Sequence, residues 1–186
     1  MFKFVGRFQP IKFDGRKMTK AIRAEVEKVM KEATAEFIEA AIVAIPVFTG
    51  MSRGSFLNLV DWVSSQRRVD LDINPEPGAK RYPDKTPEKG ANLSFFEFKN
   101  EGHHIYVSFS PGEFHYKWNE FAAVEWFPFN PSSNIGPWHS LELGRGAYKD
   151  YLRKHLKRRT KDVVQRFITR TEVFGANDDD VLVIGG

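Results

Sequence analysis

The densest run of chemically active side chains in this sequence is basic. Arg145, Lys149, Arg153, Lys154, Lys157, Arg158, Arg159, Lys161, Arg166 and Arg170 fall between residues 145 and 170, where only Asp150 and Asp162 oppose them. Cations gathered on one helix neutralise phosphates, meet an acidic partner or simply face water. Lys154, Lys157, Arg158, Arg159 and Lys161 are the residues singled out for contact with a partner or with DNA, although no motif of a DNA-reading helix accompanies them.

The other reactive types are scattered. His103 and His104 are adjacent on an expected strand and so point to opposite faces, which denies them a shared metal ion; His115 stands further on. Glu97, Glu113, Glu120, Glu125 and Glu142 have no spacing that pairs them for acid–base work. There is no Gly-x-Ser-x-Gly elbow and no phosphate-binding Gly-x-x-x-x-Gly-Lys loop. With no cysteine, disulfides, thiolate metal sites and a cysteine nucleophile are excluded. The expectation is a non-enzymatic chain without cofactor, metal or small-molecule ligand.

The elements that must carry these residues can be read in order. Phe2, Phe4, Phe8, Ile11 and Phe13 alternate with basic residues and suggest an edge strand over 2–13, with Asp14-Gly15 as a turn. Ile22, Val26, Val29, Ala33, Phe37, Ala40 and Ala44 recur at three- and four-residue steps, which predicts a long amphipathic helix over 19–45 stopped by Pro46. A second helix is expected over 51–65, capped by Thr49 or Ser52 and buried through Phe56, Leu59, Val60 and Val63.

From about 70 to 92 the chain is rich in proline, glycine and charge, and reads as a mobile arm that orders only on a neighbour. Two strands follow, 93–99 and 104–110, joined at Asn100-Glu101-Gly102, with Ile105, Val107 and Phe109 on one face and His104, Tyr106 and Ser108 on the other. Pro111-Gly112 is a turn, and 113–121 fits either a third strand or a short helix. Residues 127–137 read as loop. A second long helix is expected over 138–170, weakened at its start by Gly144 and Gly146 and broken near Arg159. A tail from about 171 to 186 ends in a small apolar strand.

Strands grouped between helices, without βαβ alternation, predict one α+β domain over 1–186: long amphipathic helices packed on a small antiparallel sheet. No stretch approaches the roughly 20 apolar residues that span a bilayer, and no secretory leader is apparent at the N-terminus, so no membrane role is expected. The net charge of +4 is too mild to mark the whole chain as a nucleic-acid binder, and the 17 phenylalanines suit either a thick core or surfaces that are covered in an assembly.

One stretch is informative beyond its local geometry: Ile45-Pro46-Val47-Phe48-Thr49-Gly50-Met51-Ser52-Arg53-Gly54-Ser55-Phe56. It stops a helix, turns a tight corner at Gly50 and starts a new helix, and Arg53 is placed to bond the carbonyls that end the first. The arrangement resembles the neck or tail-completion family of long-tailed bacteriophages, in which a long helix ends in proline and is followed by Thr-Gly, a hydrophobic residue, a basic residue and serine. Pro46, Thr49, Gly50, Arg53 and Ser55 fit that pattern, with a spacing departure around Ser52. Tyr116 to Glu120 is similar to the family's tyrosine-led segment ending in glutamate, although Phe121 stands where a glycine is usual.

The resemblance implies a structural subunit of the phage head–tail junction, found in the virion and assembled in the host cytoplasm. It implies a homo-oligomeric ring, with a hexamer as the working copy number, that contacts other neck, connector and tail proteins and meets DNA only as passing genome. A different virion ring component (a tail terminator or connector adaptor) would share these features. A DNA-binding module using the basic C-terminal helix is the alternative of another class.

Overall fold

A computed structural model of the chain describes residues 14–101, 104–112, 116, 120 and 138–175, with side chains as far as 168. The expected strand over 2–13, the loop over 127–137 and the residues of the tail beyond 175 lie outside the described residues.

The first helix, α1, spans Gly15–Ala44. Asp14-Gly15 is its start rather than a separate turn. The Asp14 carboxylate accepts the Lys17 backbone N–H at 3.1 Å, serving one of the first-turn donors that lack an intrahelical partner. At the other end Pro46 disfavours helical geometry at Ile45, which is extended.

The predicted second helix is two: α2, Met51–Gly54, and α3, Leu57–Val63, separated by a tightened turn at Ser55-Phe56. Phe56, Leu59 and Val63 are buried as their spacing predicts. The last helix, α5, runs Ser140–Gly175 without a break, so Arg159 lies in its interior. Arg159 bonds to α1, and that tertiary anchoring favours continuous helix where the local sequence suggested an interruption.

The main departure is the stretch 70–92, expected to have no structure of its own. Residues 77–81 form a 3₁₀ turn, and Pro87–Leu93 form a helix, α4, docked on α2. The docking is close because both helices offer glycine at the crossing. A Cβ on Gly54 would stand 2.2 Å from the Pro87 carbonyl oxygen, and one on Gly90 would stand 2.0 Å from that of Met51. Asn58 Nδ2 reaches across to the Ala91 carbonyl at 3.1 Å and to Ser94 Oγ at 2.8 Å. The start of α4 follows local rules that the arm reading overlooked: Thr86 caps it by accepting the Lys89 N–H at 3.2 Å, and Pro87 takes the first turn, where a missing N–H costs nothing.

Strands β1, Phe95–Glu101, and β2, His104–Ser110, pair antiparallel with Phe96 opposite Phe109 and Phe98 opposite Val107. Asn100 and Glu101 are therefore ladder residues, paired with Ile105 and His104, and not the turn. The face bearing Phe96, Val107 and Phe109 packs on the core, as the alternation predicted. Two strands are marginal alone; here Trp62 of α3 packs in tilted contact with both Phe96 and Phe98, with ring centroids 5.8 and 4.9 Å away. The architecture is thus α+β, helices on a small antiparallel sheet.

The core explains why α1 buries more than one stripe. Val29 and Ala33 are buried as expected, but so are Ala35, Ile38, Ala41 and Ile42, while Ala40 and Ala44 are only half-buried. Helix α1 lies between α5 and α3, so two of its faces leave water.

Candidate functional site

The residues singled out in the sequence fall into three groups. The first is the corner after α1. Pro46 is exposed at the bend. Gly50 has a left-handed φ of 75°, and a Cβ there would stand 2.5 Å from the Ile73 carbonyl oxygen, so both backbone conformation and space require glycine. Thr49 Oγ1 accepts the Met51 N–H at 3.3 Å, and the buried Ser55 donates its hydroxyl to the Ser52 carbonyl at 2.7 Å. Arg53 does what its position suggested: Nε donates to the Ile45 carbonyl at 2.7 Å, at the end of α1. Its Nη1 donates to the Asp72 carbonyl at 3.0 Å, which ties the following extended segment to the same corner.

The second group is Tyr116 and Glu120, both in helical backbone, whose side chains converge on one partner. Both are buried, and both meet Ser140, the first residue of α5. The Glu120 carboxylate accepts the Ser140 N–H at 2.9 Å, the Ser140 hydroxyl at 2.7 Å and the Leu141 N–H at 2.5 Å. Tyr116 shares a short hydrogen bond with the Ser140 hydroxyl. A carboxylate here satisfies first-turn donors and sits at the positive end of the helix dipole. Burial pushes the Tyr116 phenol well above its ordinary range, Glu120 adds to the rise, and Ser140 opposes it. A phenol so held stays neutral and cannot serve as a base at neutral pH.

These two groups belong to one unit. Phe56, next to Ser55, packs its ring against Phe37, Phe109 and Tyr116 at centroid distances of 6.2, 5.0 and 6.3 Å, and Tyr116 packs edge-on against Trp138 at 5.7 Å. The end of α1 and the start of α5 are thereby joined through one aromatic cluster. Ser140 was missed in the sequence; a serine just after the proline-rich loop is a weak cap signal that becomes specific only once Glu120 is seen over it.

The third group is basic, and the structure divides it. Lys154, Lys157, Arg158 and Lys161 are exposed. Arg159 points the other way, into α1. It bonds Glu25 at 2.5 Å and makes a short ion pair with Glu32, which also accepts the Tyr151 hydroxyl at 2.6 Å. Arg159 is therefore corrected from a contact residue to an internal tie between α1 and α5. Desolvation raises the Glu32 pKa, but Tyr151 and Arg159 outweigh it and hold the carboxyl below its ordinary value. Glu25 and Glu32, two turns apart on α1, were the available signal for this tie. Nearby, Gly144 allows the close approach of α5: a Cβ there would meet the Phe37 ring at 2.7 Å.

No set of catalytic groups comes together among the described residues. A hollow of about 330 Å³ between α1, α3, β2 and α5 is lined by Phe37, Leu59, Val107, Phe109 and Leu141, with Arg145 and Tyr148 the titratable groups among the described residues around it. Among the described residues no cluster of three metal-ligating side chains occurs, and no buried side-chain polar atom lacks a hydrogen-bond partner. Glu97 pairs with Lys99 at 2.8 Å, and Glu142 lies on the surface beside His139. His103, His115, Glu113 and Glu125 lie outside the described residues. No helix among the described residues is long and apolar enough to cross a membrane. No protein-family model, curated protein or solved structure matches the chain.

Proposed function

We propose that the chain is a non-enzymatic structural subunit of the head–tail junction of a long-tailed bacteriophage, acting by ring assembly in the virion. The observation that carries this reading is the unit formed by the two motif groups. Every motif residue with a side-chain hydrogen bond spends it on the backbone or a helix end: Arg53 on α1, Glu120 and Tyr116 on α5, Thr49 and Ser55 on the corner between them. Such residues serve a rigid frame and leave contact to the surface. That surface carries large apolar side chains at Phe48, Tyr82, Leu93 and Phe95, each 44–54 % exposed, which a neighbouring subunit would cover.

The test is the mass of the purified protein by light scattering over a range of concentration and salt, with electron microscopy of any large species and mass spectrometry of purified virions. A closed ring is expected; six copies of a 21.4 kDa chain would weigh about 128 kDa. A strict monomer that is also missing from virions would overturn the proposal.

A further inference from the structure

We infer that the outward face of α5 is a binding surface for the phosphate backbone of duplex DNA, an inference that does not rest on the neck reading. The face is defined by what opposes it. Arg159 points inward to Glu25 and Glu32, and Gly144 fits against Phe37. At about 100° per residue, the direction opposite Arg159 is that of Lys157. Arg153, Lys154, Lys157 and Lys161 lie within about 100° of arc centred near there, with Lys149 and Arg158 at its flanks. All six are exposed. Between residues 149 and 161 Asp150 is the one acid in this arc, and it bonds Arg153 at 3.3 Å; the exposed Glu142 lies nearly two turns before Lys149. Lys149, Lys154, Lys157 and Lys161 have no acidic partner among the described residues.

Two features favour a nucleic-acid backbone over an acidic protein. First, the six cations occupy a rise of about 18 Å, or about 3 Å per charge, close to the 3.4 Å per phosphate along each DNA strand. Second, no exposed large hydrophobic residue interrupts the patch; Leu143 and Ile168 lie beyond its two ends. Protein interfaces are depleted in lysine and organised around apolar or aromatic anchors, whereas phosphate contacts need only charge. The patch also concentrates the chain's charge. Helix α5 holds ten lysines and arginines against four acids, an excess of six in a chain whose whole excess is +4. Binding of this kind is insensitive to base sequence.

The test uses fluorescence anisotropy with two labelled 30-base-pair duplexes of unrelated sequence, over salt from about 50 to 200 mM. The full chain is compared with Lys154→Glu/Lys157→Glu/Lys161→Glu. A control with the same charge change, Lys80→Glu/Arg81→Glu/Lys89→Glu, lies at exposed positions elsewhere. The native chain should bind both duplexes alike, with a log–log salt slope near −3.6 for about four phosphates. The α5 variant should lose binding by about 100-fold or more while keeping its helical circular dichroism, and the control should lose far less. Equal losses in the two variants would overturn the inference. So would binding that ignores salt, or a native chain that binds polyglutamate but not DNA.

Discussion

Arg53 Nε lies 2.7 Å from the carbonyl oxygen of Ile45, eight residues earlier in the chain. This bond closes the end of α1 with a side chain from α2, and the same guanidinium holds Asp72 through its carbonyl. Lysine could reach one of these acceptors but has no planar fork to hold both. Arg53→Lys should lower stability by about 1 kcal/mol and Arg53→Met by about 2 kcal/mol, measured by urea unfolding, because the methionine leaves both carbonyls without this donor.

Glu120 should be the most sensitive polar position. Glu120→Ala removes the acceptor for two backbone N–H groups and one hydroxyl in a buried setting, and should cost about 3 kcal/mol or more in urea unfolding. Glu120→Gln keeps one oxygen but turns an amide N–H₂ toward donors, so it should recover only part of the loss. Tyr116→Phe loses one hydrogen bond while keeping its ring against Phe56, and should cost about 1 kcal/mol.

Glycines should respond according to their surroundings. Gly90→Ala places a methyl 2.0 Å from the Met51 carbonyl oxygen, and should cost about 2 kcal/mol or more and speed proteolysis within 77–93 as α4 lifts from α2. A methyl group at Gly146 would meet nothing within 4 Å, so Gly146→Ala should stabilise α5 by about 0.5–1 kcal/mol in thermal or urea unfolding.

The tie between Arg159 and Glu32 sets a pH dependence. The folded-state pKa of Glu32 lies below the ordinary 4.5, so its contribution is complete above that value and is lost as pH falls through the lower, folded value. Stability measured from pH 6 down to 3 should therefore fall less steeply in Glu32→Gln than in the native chain. Arg159→Met should cost about 2 kcal/mol at pH 7, whereas Lys157→Met, on the outward face, should change stability by less than about 0.5 kcal/mol.

The elements that depend on local order could be read from residue spacing. Apolar spacing placed α1, α3 and α5, alternation placed both strands and their buried face, and proline stopped α1, because each follows from periodicity or a backbone rule acting within a few residues. The bond from Arg53 to the end of α1 was also legible, since both lie at one corner. Tertiary structure alone decided the rest. Arg153 and Arg159 look alike in sequence, yet one faces out and the other is paired with Glu25 and Glu32 more than 125 residues away. Residues 87–93 looked unable to order, having little apolar surface, because close backbone packing at Gly54 and Gly90 leaves no hydrophobic signature. Glu120 became a helix cap only when the fold brought Ser140 beneath it; the energy of a buried carboxylate depends on which donors surround it, and those come from a distant part of the chain.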